Sequence, residues 1–225
     1  MGLIESRQEE IDIEFNTKNR TDKFYETEEY TQNFLNSQHA QRGTLTFPCN
    51  FTELFSELLK EIKKEKLNVL EVGSGNGHNS LIIKNIFENN KRLEKFVATD
   101  LLDHESKELD ILTGFPSEEA VKKFGKDTDV LLLVCPPPNC YVDYYAIKEF
   151  EETKTNKTKY VIFIGELGAS DGGKGMYKYM TEKSKWKTNY RKILKEGLDC
   201  FGGEYIKELF LFEFDYQTNC DILPV

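Results

Sequence analysis

VLEVGSGNG, residues Val69 to Gly77, carries an apolar strand straight into three glycines spaced two apart. A strand that is apolar at consecutive positions is covered on both faces, as in a parallel sheet. Gly73, Gly75 and Gly77 then permit left-handed backbone and put no Cβ between the chain and a ligand. A helix pattern follows from about Asn79 to Phe87 and a second strand from Phe96 to Thr99, so the segment reads as a βαβ unit. The dinucleotide fingerprint G-x-G-x-x-G, counted from Gly73 and Gly75, wants its third glycine at position 78, where His78 stands, and this weakens the reading as an NAD-linked enzyme. A P-loop is excluded because no Lys-Ser or Lys-Thr follows the glycines.

The same alternation continues outward. Ser117 to Phe124 reads as a helix, Val130 to Val134 as a buried strand, Asp143 to Phe150 as a helix and Tyr160 to Ile164 as another buried strand. The lysine-rich stretch Tyr177 to Lys195 has a helical pattern, and Tyr205 to Phe214 is expected to pair with Asp221 to Val225 in a closing hairpin. The predicted fold class is therefore α/β, a Rossmann-like, mostly parallel sheet with helices on both faces and a C-terminal antiparallel hairpin. Upstream, Phe51, Leu54, Phe55, Leu58, Leu59 and Ile62 recur at helical spacing behind a cap at Asn50. Residues 1–48 are polar with regularly placed aromatics and read as an appended segment on the domain formed by 49–225.

Composition narrows the function. A formal net charge of -9 over 225 residues repels a phosphate backbone, which favours a small-molecule or protein partner over nucleic acid. The one candidate basic patch is Lys183, Lys185, Lys187, Arg191, Lys192 and Lys195 around Trp186 and Tyr190, and a solvated helix face accounts for those charges equally well. Cys49, Cys135, Cys140, Cys200 and Cys220 form no C-x-x-C pair, and His39, His78 and His104 are scattered. This usage predicts a reducing, cytoplasmic setting and no bound metal. No apolar run approaches the roughly 20 residues that span a bilayer, and no membrane partner is expected. Met1-Gly2 with Ser6 matches the loose myristoylation pattern, but acidic residues follow where anchoring needs basic ones.

The acid followed by G-x-G-x-G, Glu71 with Gly73, Gly75 and Gly77, resembles motif I of the class I S-adenosylmethionine (SAM)-dependent methyltransferases. The resemblance implies SAM as cofactor, with Ser74 and the glycines packed against its methionine and ribose and Glu71 in the polar network near its amino group. Asp100 ends the next strand, where the family places the acid that accepts both ribose hydroxyls; Leu101 follows it, and Asp103 is the fallback acid.

LLLVCPPPNCY, Leu131 to Tyr141, is a buried strand stopped by three prolines, which fix φ and hold the loop rigid at the carboxyl edge of the sheet. It resembles the D-P-P-Y or N-P-P-Y loop of amino-methyltransferases, which implies a catalytic or acceptor-positioning role for Cys135, Pro136 and Tyr141. Cys135 occupies the acid position and Pro138 the aromatic one, so Tyr141 is left to supply the aromatic ring. Cysteine is a poor acceptor, which argues against methylation of an exocyclic amine by the usual arrangement. Asp143, at the start of the next helix, is either a substrate-orienting residue or a cap. Glu166, at the end of the fifth strand before a glycine-rich loop, is either a general base or part of an exposed turn. Three readings stay open: a methyltransferase of unassigned acceptor, a SAM-binding regulatory or scaffolding protein whose altered loop reflects lost catalysis, and a nucleotide- or NAD-linked enzyme on the same fold.

Overall fold

Val130 to Val134 and Tyr160 to Ile164 are apolar at every position because each strand lies between two layers of helix. The computed structural model describes residues 47–103, 109–136, 142–153, 157–165, 176, 179–180, 186–194 and 207–214. The appended segment expected over 1–48 lies outside these residues, apart from Phe47 and Pro48. The elements in chain order are α1 (Phe51–Glu61), β1 (Leu67–Val72), α2 (His78–Asn89), β2 (Leu93–Thr99), β3 (Ile111–Leu112), α3 (Ser117–Phe124), β4 (Val130–Val134), α4 (Val142–Glu152), β5 (Lys159–Gly165), β6 (Lys187–Leu194) and β7 (Lys207–Phe214).

The strands form one seven-stranded sheet in the order β3-β2-β1-β4-β5-β7-β6. The β1–β2, β1–β4, β2–β3 and β4–β5 pairs are parallel, while β7 runs antiparallel to both β5 and β6. Alternation along the strands sorts the core by face. Val69, Val130, Leu132, Ile162 and Leu211 pack with Phe51, Phe55, Leu58, Ile83 and Phe87 of α1 and α2. Leu70, Leu131, Leu133, Phe163 and Phe212 pack with Val121 of α3, with Ile147 and Phe150 of α4, and with Met176, Met180 and Trp186.

The lysine-rich stretch does not form the expected helix: Lys187–Leu194 is an edge strand. Tyr190, Ile193 and Leu194 mimic helical spacing, but Tyr190 and Leu194 lie on one covered face of the strand while Ile193 is 60% exposed. β7 pairs with β5 and β6, and its expected partner, 221–225, lies outside the described residues. Asn50 does precede α1, but its side chain makes no capping bond; its carbonyl accepts the Leu54 N–H at 3.1 Å.

At the amino-terminal edge of the sheet, buried Asp129 accepts Lys64 Nζ on both oxygens at 2.6 Å and the Asn68 N–H at 2.8 Å. Lys64 is 44% exposed, so the ion pair itself contributes little, whereas an orphaned strand N–H is costly. Asp129→Ala is expected to lose about 2 kcal/mol of stability, read as a lower urea midpoint with an unchanged slope.

Candidate active site at the switch point of the sheet

From β1 the chain passes through α2 to β2 on one side, whereas β4 lies on the other side of β1. Connections leaving β1 and β4 in opposite directions open a crevice at their carboxyl ends, the place where open α/β sheets bind ligands. The strand ends at this edge include Gly73 after β1, Asp100 after β2, Cys135 and Pro136 after β4, and Gly165 closing β5.

The glycine loop is held from below. The Gly73 and Ser74 N–H groups both donate to the Thr99 carbonyl, at 2.9 and 3.1 Å, and the Thr99 hydroxyl donates back to the Glu71 carbonyl at 2.8 Å. Gly73 and Gly75 have φ of +73° and +58°, and a Cβ built at either would meet no protein atom within 4 Å. The backbone conformation therefore demands glycine, and the face it presents is bare. Gly77, also left-handed at +79°, opens α2.

Asp100 locks this loop to the next strand. Its Oδ2 accepts the Gly75 N–H at 2.8 Å and its Oδ1 the Leu102 N–H at 2.9 Å. The backbone of Asp100 is tied to the β3 connection, its N–H donating to the Leu112 carbonyl at 3.0 Å and its carbonyl accepting the Phe115 N–H at 3.1 Å. Leu101 is half-buried, and its carbonyl accepts the Gly114 N–H at 3.3 Å. The wall from Leu112 to Phe115 is thus brought beside Asp100, a placement the sequence reasoning missed because a two-residue strand carries no periodic signal. Asp103 is exposed.

Glu71 sits on the Val69 face of β1, fully buried, with its Oε2 unpartnered. Burial pushes its carboxyl up to about 8; the Ser80 side chain opposes that shift and the Asp100 charge adds to it.

At the acceptor side, Cys135 adopts left-handed backbone, φ +46°, and donates its N–H to the Ile164 carbonyl at 2.7 Å. Pro136 behind it is buried. Asp143 is fully buried in the first turn of α4, where its Oδ1 accepts the Tyr144 N–H at 2.8 Å. The edge thus brings together Cys135, Pro136 and the start of α4; Tyr141 and Glu166 lie outside the described residues. A non-glycine residue in the left-handed region costs about 1 kcal/mol. Cys135→Gly is therefore expected to keep or raise the melting temperature, while β-branched Cys135→Val lowers it, as checked by thermal unfolding followed by circular dichroism.

The sequence matches no protein-family model and no curated protein. The structure does have solved neighbours. A SAM-dependent methyltransferase from Methanosarcina mazei aligns with a TM-score of 0.50 at 9% identity, over 70% of this chain and 97% of its own. A protein assigned to the class I SAM-dependent methyltransferases from Listeria monocytogenes aligns with a TM-score of 0.51 at 13% identity, over 83% of this chain and 67% of its own. The chain has the class I methyltransferase fold.

On this methyltransferase fold, the basic residues of 187–194 fall on the edge strand β6. Arg191 is committed there to Glu208, with nitrogen–oxygen distances of 2.8 and 3.2 Å, and to the face of Phe210 at 5.2 Å. Lys187 and Lys192 are exposed, in keeping with charges that guard a sheet edge against pairing. Among the described residues no His, Cys, Asp or Glu cluster has the makings of a metal site, and no helix is long and apolar enough to cross a membrane.

Proposed function

We propose that the protein transfers the methyl group of SAM to a small-molecule or protein acceptor. The observation that carries this reading is Asp100: one carboxylate at the end of β2 fastens the glycine loop at the switch point, the strand end where the motif resemblance puts the acid that meets the ribose hydroxyls. The neighbouring groups fit the same cofactor. Gly73 and Gly75 leave open space where any other residue would project a Cβ, Leu101 and the Leu112–Phe115 wall flank Asp100, and Glu71 Oε2 and Ser74 Oγ are buried polar atoms awaiting a partner.

Bound in this crevice, SAM supplies an electrophilic methyl on a sulfonium. The chain's task is then alignment and exclusion of water, which lets a displacement proceed without an elaborate catalytic constellation. Asp100 and the glycines fix the adenosyl end, and Glu71 and Ser74 face its charged tail. Cys135, held against β5 by the bond to Ile164, and buried Pro136 form the rigid wall on which an acceptor is oriented, and Tyr141, Asp143 and Glu166 are the residues proposed to act on that acceptor. The net charge of -9 favours an acceptor that carries no polyphosphate backbone. Calorimetric titration with SAM and with S-adenosylhomocysteine tests the reading: micromolar binding of both, and none of NAD, is the expected result, and the absence of SAM binding overturns it.

A further inference from the structure

Beneath the glycine loop lies a buried polar cluster out of keeping with the apolar layer around it. Glu71 is 1% exposed, and its Oε2 lies buried without a hydrogen-bond partner, as do Ser74 Oγ and Ser80 Oγ. Native interiors leave few such atoms, yet these three belong to the end of β1, the loop after it and the first turn of α2. The charge facing Glu71 is negative. α2 offers the Ser80 hydroxyl and the end of β2 offers Asp100, while the paired neighbours on either side of the strand, Ala98 and Leu132, are apolar. Lys84, the lysine of α2, is turned to Glu88 at 3.7 Å. A buried carboxylate in that company is held neutral, because none of the described groups facing it is a cation that would offset its lost hydration.

SAM brings positive charge to such a loop, on its sulfonium and on its α-ammonium. We infer that Glu71 gives up its proton when SAM binds, so that the cofactor itself completes the charge balance of the buried cluster and affinity rises with pH. The inference rests on the proposed function of this crevice. The exchange is a simple one: the carboxyl O–H bond breaks, the proton passes to solvent, and the cofactor's positive charge replaces it beside the carboxylate. S-adenosylhomocysteine lacks the sulfonium charge and releases less of a proton, so the preference for SAM over its demethylated product widens as pH increases.

The test is titration calorimetry of the full chain with SAM in buffers of different ionisation enthalpy, between about pH 5.5 and 7, where the α-amino group of the cofactor stays protonated. The wild type is expected to release close to one proton per SAM bound, with its Kd falling by nearly tenfold per pH unit. Glu71→Gln is expected to release none and to show a flat Kd, while His78→Ala, which removes the exposed imidazole at the start of α2, behaves as wild type. SAM binding without proton release, or release that persists in Glu71→Gln, overturns the inference. Should Glu71→Gln fail to fold, infrared spectroscopy of the wild type decides: the carbonyl stretch of a protonated carboxyl disappears on addition of SAM, and its persistence overturns the inference. If the wild type binds no SAM at any pH, the cofactor reading falls and takes this inference with it, a result distinct from binding without a proton.

Discussion

Asp100→Ala is expected to weaken SAM binding by roughly 100-fold or more while leaving the far-ultraviolet circular dichroism unchanged. Two hydroxyls bonded to a charged acceptor contribute about 1.5–3 kcal/mol each, and about 2.7 kcal/mol already corresponds to 100-fold in Kd. The same substitution frees the Gly75 N–H and the Leu102 N–H from their acceptors, so the loop loses its set position along with its ligand contact. The lost ligand contact falls on the bound state, and the loosened loop adds an ordering cost to binding. Asp100→Asn keeps an acceptor oxygen but sets an amide where a second acceptor is needed, and an intermediate loss is expected. Calorimetric Kd values within threefold of wild type for Asp100→Ala would remove Asp100 from the site.

Phe150→Ala is expected to cost about 3–5 kcal/mol of stability, a large fraction of the 5–15 kcal/mol that separates folded from unfolded chains. Phe150 is fully buried on α4 and stacks on Trp186 with ring centroids 6.3 Å apart, and Lys159 Nζ lies 4.7 Å from the centre of its ring. That ammonium also donates to the Phe150 carbonyl at 2.5 Å, to the Thr153 carbonyl at 2.7 Å and to the Thr153 hydroxyl, closing the end of α4. The phenyl ring thus joins a helix end, the start of β5 and the segment leading into β6. Trp186 is the sole tryptophan and 6% exposed, so its emission reports directly on the cavity left behind. A red shift in the folded variant and a much lower urea midpoint are the expected readings; a loss near 1 kcal/mol would mean that the ring is not buried as described.

Local pattern carried the centre of the sheet. α3 falls at Ser117–Phe124 as its periodicity indicates, and the all-apolar runs of β4 and β5 admit only strands covered twice. The margins were harder to read. An edge strand is covered on one face only, and the register of β6 is shifted between Thr188 and Tyr190, which breaks the two-residue alternation that would have revealed it. Within the site, Glu71, the glycines and Asp100 were legible because strand ends and left-handed turns have local signatures. The Leu112–Phe115 wall was not, because its place beside Asp100 depends on pairing between β2 and β3. The left-handed turn at Cys135 was not legible either: a residue before proline is biased toward extended backbone, and this turn is bonded to a carbonyl on β5, beyond any sequence window.

β7 occupies the interior of the sheet although it is synthesised after both of its neighbours. Until Lys207–Phe214 has left the ribosome, β5 presents an unpaired edge bearing Val161, Ile162, Phe163 and Ile164, and β6 has no strand to lie against. A nascent chain in that state offers a template for pairing with other chains. Folding therefore cannot be completed domain-half by domain-half during translation, and the long-range closure by β7 places the risk of aggregation in the interval between the emergence of β5 and that of β7.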